Sequence, residues 1–292
     1  MKTVEVTQQL DIEQVEQLIK NKVRLNHSSY DVLVDGDEDT EVVTPDGTLF
    51  KIVRNVLRKE ECNAAFEVFE KAYQGGSGAY RGTAAGADPD PHASSVSVGY
   101  LDRTGRHGVK PCRETSFILK DRNLFAGAIT YIRAVDDVFR QQMRRHWFYQ
   151  KFASVYANNW VVGDSCFSTV AVNQNFQTAT HRDNGDLRGS FGVLTCFKRG
   201  IFSGGQLCFP RYRVAVDFND GDVLLANVHE AHGNMPIVPV TEDYLRMSCV
   251  FYFRERILQC GTPEQEEAFL LRRETGDPLF GWLLERGEWL PQ

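Results

Sequence analysis

The chain has 292 residues, 42% of them hydrophobic and 25% charged, with a formal net charge of −6, which is ordinary for a globular protein. No apolar run approaches the roughly 20 residues of a transmembrane helix, and the amino terminus has no apolar signal-peptide core. These features predict a chain without a transmembrane helix or a signal peptide. We expect a soluble, intracellular, monomeric protein of the cytoplasm or nucleus, or of the host cytoplasm if the source is viral.

The acidic balance argues against a chain built mainly to coat nucleic acid, although it allows a local basic groove. The 7 cysteines are an odd number, and no two of them are spaced as CxxC. Several lie in apolar runs such as VLTCF and MSCVF, where cysteine acts as a small buried hydrophobe. We therefore expect a reducing compartment and no zinc finger.

The first 164 residues mix helical and strand patterns. Apolar residues at helical spacing predict a helix over 11–24, with Asp11 as its N-cap, and a second helix over 59–74 that ends at Gly75-Gly76. Between them, residues 30–57 alternate as short strands separated by turns.

The stretch 75–93 is rich in Gly, Ala, Asp and Pro, and it is either a mobile lid or a plain loop. SSVSVGYLD and CRETSFILK follow as predicted strands, and 122–153 as a long helix. The end of that helix, RRHWFYQKF, mixes cations with aromatic residues. We interpret it as a helix C-terminus with packed Arg stems in preference to a nucleic-acid contact.

From 165 to 256 the pattern changes to short β runs separated by Gly, Asp and Asn turns. Strands at this spacing predict a double-sheet jelly roll, and the tail 257–292 reads as a helical buttress with an amphipathic helix over 263–288. The expected fold is α+β and mainly β, with a double-stranded β-helix (jelly-roll) core and flanking helices in one domain over 1–292.

His181-Arg182-Asp183, followed at a distance by His232, carries most of the chemical information. Two imidazoles and one carboxylate are the ligand set of non-haem Fe(II) oxygenases, whose open positions take a keto acid and dioxygen. The HxD tripeptide alone is a weak signal, but it lies at a strand end, and Gly221-Asp222 opens an apolar strand before His232. We take His181, Asp183 and His232 as candidate metal ligands and catalytic residues.

Two histidines compete for the third metal position. His229 and His232 lie three apart in NVHEAH, so only one of them need face the metal. We favour His232, which leaves His229 to line the pocket or to orient a ligand.

Arg246 lies in the otherwise apolar strand LRMSCVFYF. A buried guanidinium needs an anion, which is either the distal carboxylate of a keto acid, held by a bidentate pair, or an internal acidic side chain. Ser248 projects to the same side. Asn173 is a candidate for the same cofactor pocket, and either Asn173 or Asn175 could hydrogen-bond the keto acid or substrate, or serve a turn or bulge.

These segments resemble the oxygenase domain of the TET/JBP group over 166–255. The resemblance rests on TATHRDNGDLRGSFGVLTCF, FSGGQLCFPRYRVAVDF, GDVLLANVHEAHGNMPI and LRMSCVFYFR. The group comprises 2-oxoglutarate- and Fe(II)-dependent dioxygenases that hydroxylate the methyl group of 5-methylcytosine or thymine in nucleic acid. VSVGYLDR and CRETSF resemble the upstream segment of the family, and the chain is similar to its small single-domain members of phages and protists.

The resemblance implies Fe(II), 2-oxoglutarate and O2 as cofactors, with His181, Asp183 and His232 on the iron and Arg246 on the keto acid. It implies DNA containing 5-methylpyrimidines as the partner, with the target base flipped. The expected reaction is hydroxylation of the 5-methyl group of 5-methylcytosine in DNA, with thymine as the second possibility and further oxidation of the product left open. Candidate substrate-binding residues are Arg113, Asn175, Asn184 and His229. We expect phosphate contacts from cations around the CRETSF segment, namely Arg81, Arg103, Arg106, Lys110 and Arg113.

Two other classes of function remain open. An oxygenase of the same fold could act on a free small molecule or a protein side chain, as the acidic net charge allows. A jelly-roll module could also bind without catalysis, in which case it would fold but not bind Fe(II).

Overall fold

The computed structural model describes residues 1–75, 79–80, 94–104 and 110–274. Three parts of the chain lie outside the described residues. They are most of the stretch 75–93, which includes Arg81, the segment that contains Arg106, and the tail beyond 274. Within the described residues the helices are α1 (Ile12–Lys20), α2 (Lys59–Gly75), α3 (Ser116–Ala126), α4 (Ile129–Gln142), α5 (Arg144–Tyr156) and α6 (Pro263–Glu274). The strands are β1 (Lys2–Glu5), β2 (Val32–Val34), β3 (Thr40–Thr44), β4 (Gly47–Val53), β5 (Ala79–Tyr80), β6 (Ser94–Leu101), β7 (Arg113–Glu114), β8 (Thr169–Gln174), β9 (Gly192–Arg199), β10 (Phe202–Gly204), β11 (Leu207–Phe209), β12 (Val214–Val216), β13 (Val223–Ala226), β14 (Gly233–Asn234), β15 (Ile237–Pro239) and β16 (Leu245–Tyr252).

Two sheets of very different size form the core. The larger has the order β1-β3-β4-β13-β9-β16-β8-β6-β5, with β7 paired to β6, and the smaller has the order β14-β11-β12-β2. Strands β4, β13, β9, β16, β8 and β6 pair antiparallel. The expected mainly β jelly roll with flanking helices is confirmed.

Helices α2, α3 and α4 cover the outer face of the larger sheet. In α2, Ala65, Val68, Phe69 and Ala72 follow helical spacing and are buried together with residues of α4 and with β-sheet residues such as Phe251. The inner face of the larger sheet packs on the smaller one, where the Phe50 and Phe209 rings stack at 5.6 Å. The molecule therefore has three layers, and the cavity described below opens between the two sheets.

The helical region between β7 and β8 differs from the expectation. CRETSFILK is a strand only at Arg113–Glu114 and is helical from Ser116. The long helix expected over 122–153 is divided among α3, α4 and α5. Gly127 and Ala128 separate α3 from α4, and Met143, whose backbone is non-helical, separates α4 from α5. RRHWFYQKF therefore begins α5, and our interpretation of it as a helix C-terminus is wrong.

The N-terminal helix begins at its expected cap. The Asp11 side chain accepts a hydrogen bond from the Gln14 backbone, and the Gln14 side chain accepts one from the Asp11 backbone. The helix ends at Lys20, earlier than residue 24, because the backbone turns at Lys22 with a positive φ.

Five cysteines are buried and unpaired, as the sequence predicted. Cys112 and Cys260 instead form a disulfide, which the expectation of a reducing compartment did not anticipate. Their separation of 148 residues gave no sequence signal. Across the described parts of the chain, no helix combines the length and apolar composition that crossing a membrane requires.

A buried ion pair fixes the start of β13, the strand that leads towards His232. Asp222 accepts hydrogen bonds from the Arg54 guanidinium at 2.9 Å and from the Asn55 and Asn219 backbone amides, also at 2.9 Å. The Arg54 and Asp222 side chains are only 4% and 5% exposed. The Gly221-Asp222 motif therefore joins the ends of β4 and β13.

We expect Asp222→Ala to lower the free energy of unfolding by about 3–5 kcal/mol, because it leaves the Arg54 guanidinium buried without its carboxylate. Denaturant unfolding measures the loss. The matched control is Asp137→Ala, which removes a pair with Arg140 whose side chains are 55% and 51% exposed, and we expect it to cost at most about 1 kcal/mol. Equal losses in the two variants would contradict this account of Asp222.

Candidate metal centre and cavity

A cavity of about 360 Å³ opens between the two sheets. Its lining comes from β6, β8, β9 and β16 of the larger sheet, from β11 and β14 of the smaller sheet, and from the loop 181–186. Its volume is within the range of roughly 300–1,000 Å³ that is usual for ligand pockets. His181, Asp183, His232 and Arg246 all line it.

The main chain brings two histidines face to face. The His181 amide donates to the His232 carbonyl and the His232 amide donates to the His181 carbonyl, both at 2.9 Å. This isolated antiparallel bridge sets the two ring centroids 4.4 Å apart. The two residues are far apart in sequence and directly opposite each other in space.

Asp183 completes a three-ligand cluster. Its amide donates to the Val228 carbonyl at 3.0 Å, which turns the residue towards the histidines. One carboxylate oxygen lies 3.5 Å from His181 Nε2 and the other 3.8 Å from His232 Nε2. The three donor atoms lie within 4.8 Å of one another, so they can hold one metal ion.

Both imidazoles have a fixed tautomer. His181 Nδ1 contacts the Ala179 carbonyl at 2.8 Å, and His232 Nδ1 contacts the Glu230 carbonyl at 2.9 Å. A carbonyl only accepts, so Nδ1 carries the hydrogen and Nε2 keeps its lone pair for a metal. Burial and the neighbouring His181 lower the pKa of His232 to about 4, which keeps its ring neutral.

His229 lies apart from this cluster. Its Nε2 contacts the Leu187 carbonyl at 3.4 Å, and the residue neither lines the cavity nor belongs to the three-donor group. His232 is the histidine that faces Asp183, as the sequence analysis favoured. The role of His229 in orienting a ligand or contacting substrate stays a prediction.

Arg246 is a buried cation aimed into the same cavity. The residue is 3% exposed, its Nε is buried with no hydrogen-bond partner, and its guanidinium carbon lies 5.6 Å from the centre of the Phe218 ring. Among the described residues, no acidic side chain forms an ion pair with it. The internal ion pair considered from the sequence is therefore absent from this part of the chain, and an external anion would satisfy the guanidinium.

Gly205 leaves the space that Arg246 occupies. A Cβ on Gly205 would lie 2.6 Å from Arg246 Nε and 2.7 Å from its Cδ, and the glycine backbone has φ +79°. Any other residue would therefore push the guanidinium aside and strain the backbone.

A polar row crosses the cavity floor beside Arg246. Asn173 in β8 pairs with Ser248 in β16 on one side and with Ser95 in β6 on the other, and all three line the cavity. Asn173 and Ser248 were sequence candidates, whereas Ser95 was missed because nothing marked it among the serines of SSVSV.

The loop after the ligands forms another part of the wall. Asn184 and Asp186 both line the cavity, and burial, followed by the charge of Asp183, raises the pKa of Asp186 well above its usual range. The backbones of Asp186 and Arg254 form an isolated antiparallel β-bridge. The Arg254 guanidinium donates to Asp102 at 3.2 Å and to the Tyr252 hydroxyl at 3.0 Å.

The sequence analysis missed Arg254 and Tyr252, although a signal existed. Both lie an even number of positions from Arg246 in the same extended run. Every second residue of that run faces the cavity, namely Arg246, Ser248, Val250, Tyr252 and Arg254.

Two other sequence candidates, Asn175 and Arg113, hydrogen-bond to neighbouring segments of the chain and lie outside the cavity lining. Asn175 has φ +48°, accepts a hydrogen bond from the Arg246 amide at 2.7 Å and does not line the cavity, so the structure places it at a turn after β8. Arg113 donates to the Pro111 carbonyl at 3.0 Å and to Thr104 at 3.3 Å, also outside the cavity.

Two cations of the expected basic surface, Arg103 and Arg113, make other contacts in the described residues. Arg103 forms a two-pronged pair with the buried Glu266, at 3.1 and 2.6 Å, and lies over the Phe269 ring. The exposed Lys110 joins Thr104 through backbone hydrogen bonds. Arg103 is thus a structural anchor for α6, and its expected phosphate contact stays a prediction.

Comparison with known proteins gives curated relatives that are named as thymine dioxygenases. JBP2 of Leishmania braziliensis, a bifunctional helicase and thymine dioxygenase, is 32% identical over 200 residues, which are 68% of this chain and 18% of that protein. JBP1 of Trypanosoma brucei brucei, a thymine dioxygenase, is 33% identical over 163 residues, which are 55% of this chain and 19% of that protein. The chain spans about a fifth of the length of these relatives.

A solved structure shares the fold. The structure of NgTET1 in complex with 5mC DNA superposes with a TM-score of 0.55 and 16% identity, covering 91% of this chain and 100% of that one. Residues 96–255, which contain the three-donor cluster and Arg246, match the family model Tet_JBP. Because this match covers more than half of its residues, the chain belongs to the Tet_JBP family, the oxygenase domain of the 2OGFeDO superfamily.

Proposed function

We propose that this protein is a 2-oxoglutarate- and Fe(II)-dependent dioxygenase that hydroxylates the 5-methyl group of a 5-methylpyrimidine in DNA. The observation that carries the proposal is the convergence of His181, Asp183 and His232 in one cavity with the buried, unpaired Nε of Arg246. The superfamily uses Fe(II), 2-oxoglutarate and O2. Relatives named thymine dioxygenases favour thymine as the target, and 5-methylcytosine is the second candidate.

The donor set fits Fe(II). Two neutral imidazole nitrogens and one carboxylate are the facial triad of non-haem iron oxygenases, and they leave positions for the keto acid and dioxygen. Iron and keto acid, when held by these residues, would supply the oxidant for converting a methyl group, 2-oxoglutarate and O2 into a hydroxymethyl group, succinate and CO2. In this chain the Ala179 and Glu230 carbonyls hold the two rings in the tautomer that such a site needs.

Arg246 fits the distal carboxylate of 2-oxoglutarate. A guanidinium presents a planar pair of donors to a carboxylate, and a buried one gains more from that pair than an exposed one. Ser248 and Asn173 are placed to add neutral hydrogen bonds on the same floor. Gly205 keeps the space in which Arg246 can turn towards the anion.

The remaining wall suits the substrate. Asn184 and Asp186 border the iron site on the side of the exposed loop, and their amide and carboxyl groups can hydrogen-bond the edge of a pyrimidine. A methyl carbon within a duplex is out of reach of a buried site, so the target base must be flipped into the cavity. We propose that the core over 165–256 carries the chemistry and that the flanking segments act with it as one monomeric oxygenase domain.

The first prediction concerns the third iron ligand. His232→Ala should lower the affinity for Fe(II) by more than roughly 100-fold, because removing a ligand costs more than removing an outer partner. His229→Ala is the control and should keep wild-type affinity, because His229 contacts Leu187 away from the cluster. Anaerobic Fe(II) titration measures both variants. The reverse order of affinities would exclude the assignment.

The second prediction concerns Gly205. Gly205→Ala should raise the KM for 2-oxoglutarate about tenfold or more, because the new Cβ displaces Arg246 from a charged hydrogen bond worth about 1.5–3 kcal/mol. Gly36→Ala is a matched control, since Gly36 also has φ +79° but has no atom within 4 Å of its Cβ position. Initial-rate kinetics should give an unchanged KM for this control. Similar KM values for both variants would mean that Gly205 does not serve Arg246.

The third prediction tests the substrate. Mass spectrometry of duplex oligonucleotides after incubation with Fe(II), 2-oxoglutarate and O2 should detect one added oxygen on thymine or on 5-methylcytosine. Two comparison substrates are incubated in parallel, namely an RNA of the same sequence and an oligonucleotide without methylpyrimidines. Asp183→Ala should give no product, because the site loses its anionic ligand. Oxidation of a free metabolite but of no polynucleotide would favour the small-molecule alternative.

A further inference from the structure

One exposed helix face is unusually aromatic. Among the large hydrophobic side chains that are exposed in the described residues, every aromatic one lies on α5. Phe148, Tyr149, Phe152 and Tyr156 are 67%, 49%, 72% and 75% exposed, and Val155 beside them is 61% exposed. A contiguous exposed apolar patch of this kind marks a site of interaction.

The helical spacing places these side chains together. Phe148, Phe152 and Tyr156 are successive residues at i, i+4 and i+8, so they form one row along α5. The opposite face holds the buried Gln150, Ala153 and Ser154, which pack against the protein. We call the exposed row, with Tyr149 and Val155, the α5 face.

The charge of α5 indicates an anionic partner. Residues 144–156 contain no Asp or Glu, although the whole chain has a net charge of −6. Arg144 and Arg145 are exposed in the first turn, and neither forms an ion pair with another described residue. Cations at a helix N-terminus oppose the helix dipole, so these two side chains do not serve the stability of α5.

Helix α5 packs against the loop that follows the candidate iron ligands, and Tyr149 of the α5 face lies beside Gly189 of that loop. His146 contacts the Gly189 carbonyl at 2.9 Å, Gln150 accepts a hydrogen bond from Ser190, and Leu187 is buried in one cluster with Ala153. Asn184 and Asp186, a few residues earlier in that loop, line the cavity. A polymer that extends from the cavity over this loop would reach α5.

We propose that the α5 face binds a single-stranded stretch of the nucleic acid, with bases stacked on Phe148 and Phe152 and phosphates held by Arg144 and Arg145. Aromatic platforms beside cations are the usual way to bind single strands without sequence preference. The inference rests on the proposed function, which brings a nucleic acid strand to the cavity. Flipping one base unpairs only its partner, so binding at the α5 face further requires the strand to separate over the nucleotides that reach α5. A symmetric contact with a second copy would instead bring four arginines together.

Fluorescence anisotropy with a labelled single-stranded oligonucleotide of adenine and unmethylated cytosine tests the inference without any oxidation step. The variant Phe148→Ala/Phe152→Ala should weaken binding about tenfold or more, because it removes two stacking platforms. Leu119→Ala on α3, at a side chain that is 66% exposed, is the matched control and should bind as the wild type does. The variant should keep Fe(II) and 2-oxoglutarate affinity and its thermal midpoint, because the α5 face is exposed.

A second variant tests the cations. Arg144→Gln/Arg145→Gln should weaken binding and flatten the dependence of log K on log salt by about 1.4, at roughly 0.7 for each phosphate that the variant no longer neutralises. Unchanged affinity in both variants overturns the inference, as does a wild type that does not bind the oligonucleotide.

The other possible occupants of the α5 face give different results. If a second copy covers it, sedimentation shows a wild-type dimer that the alanine variant dissociates while DNA affinity stays unchanged. If a membrane surface covers it, wild type but not variant cosediments with phosphatidylserine vesicles, again with unchanged DNA affinity. Both results overturn the inference. Failure of the proposed function is separate, since it appears as absence of oxidised base in the mass spectrometric assay.

Discussion

Two main-chain hydrogen bonds between His181 and His232 set the geometry on which the site depends. They join the end of the segment after β8 to the segment after β13, so two histidines that are far apart in sequence face the same point. The buried pair of Arg54 and Asp222 fixes the start of β13, and the Glu230 and Ala179 carbonyls fix the rings. Backbone contacts on rigid strands thus position a cluster that side-chain contacts alone would leave mobile.

The second constraint is the uncompensated charge in the core. Arg246 is almost fully buried without an acidic partner among the described residues, a costly arrangement for the protein alone. The chain keeps it with Phe218 near the guanidinium and with a glycine at 205, where a side chain would collide. An anionic ligand would complete the arrangement. The cavity therefore combines a metal cluster and an anion site, the two elements that a keto-acid oxygenase requires.

The jelly roll and the metal cluster were predictable because their signals are local. Alternating strands and turns after residue 165 predicted the sheets, and HxD with a distant His predicted the cluster. Contacts between distant segments were not predictable, because they depend on how those segments pack in the folded protein. Examples are the Cys112–Cys260 disulfide, the Arg103–Glu266 ion pair and the backbone β-bridge between Asp186 and Arg254. The break at Met143 was missed because the apolar spacing of α4 continues into α5, and this hid the aromatic face of α5.

The most direct measurement is the anaerobic absorption spectrum of the Fe(II)-loaded protein during titration with 2-oxoglutarate. A keto acid that chelates iron at a facial triad gives a visible charge-transfer band, so it reports metal, keto acid and their contact together. We predict a band that saturates at one 2-oxoglutarate per chain in the wild type and needs a much higher concentration in Arg246→Lys, whose ammonium lacks the planar fork. No band in the wild type, or a titration that is the same in both proteins, would contradict the assignment of this cavity as a keto-acid oxygenase site.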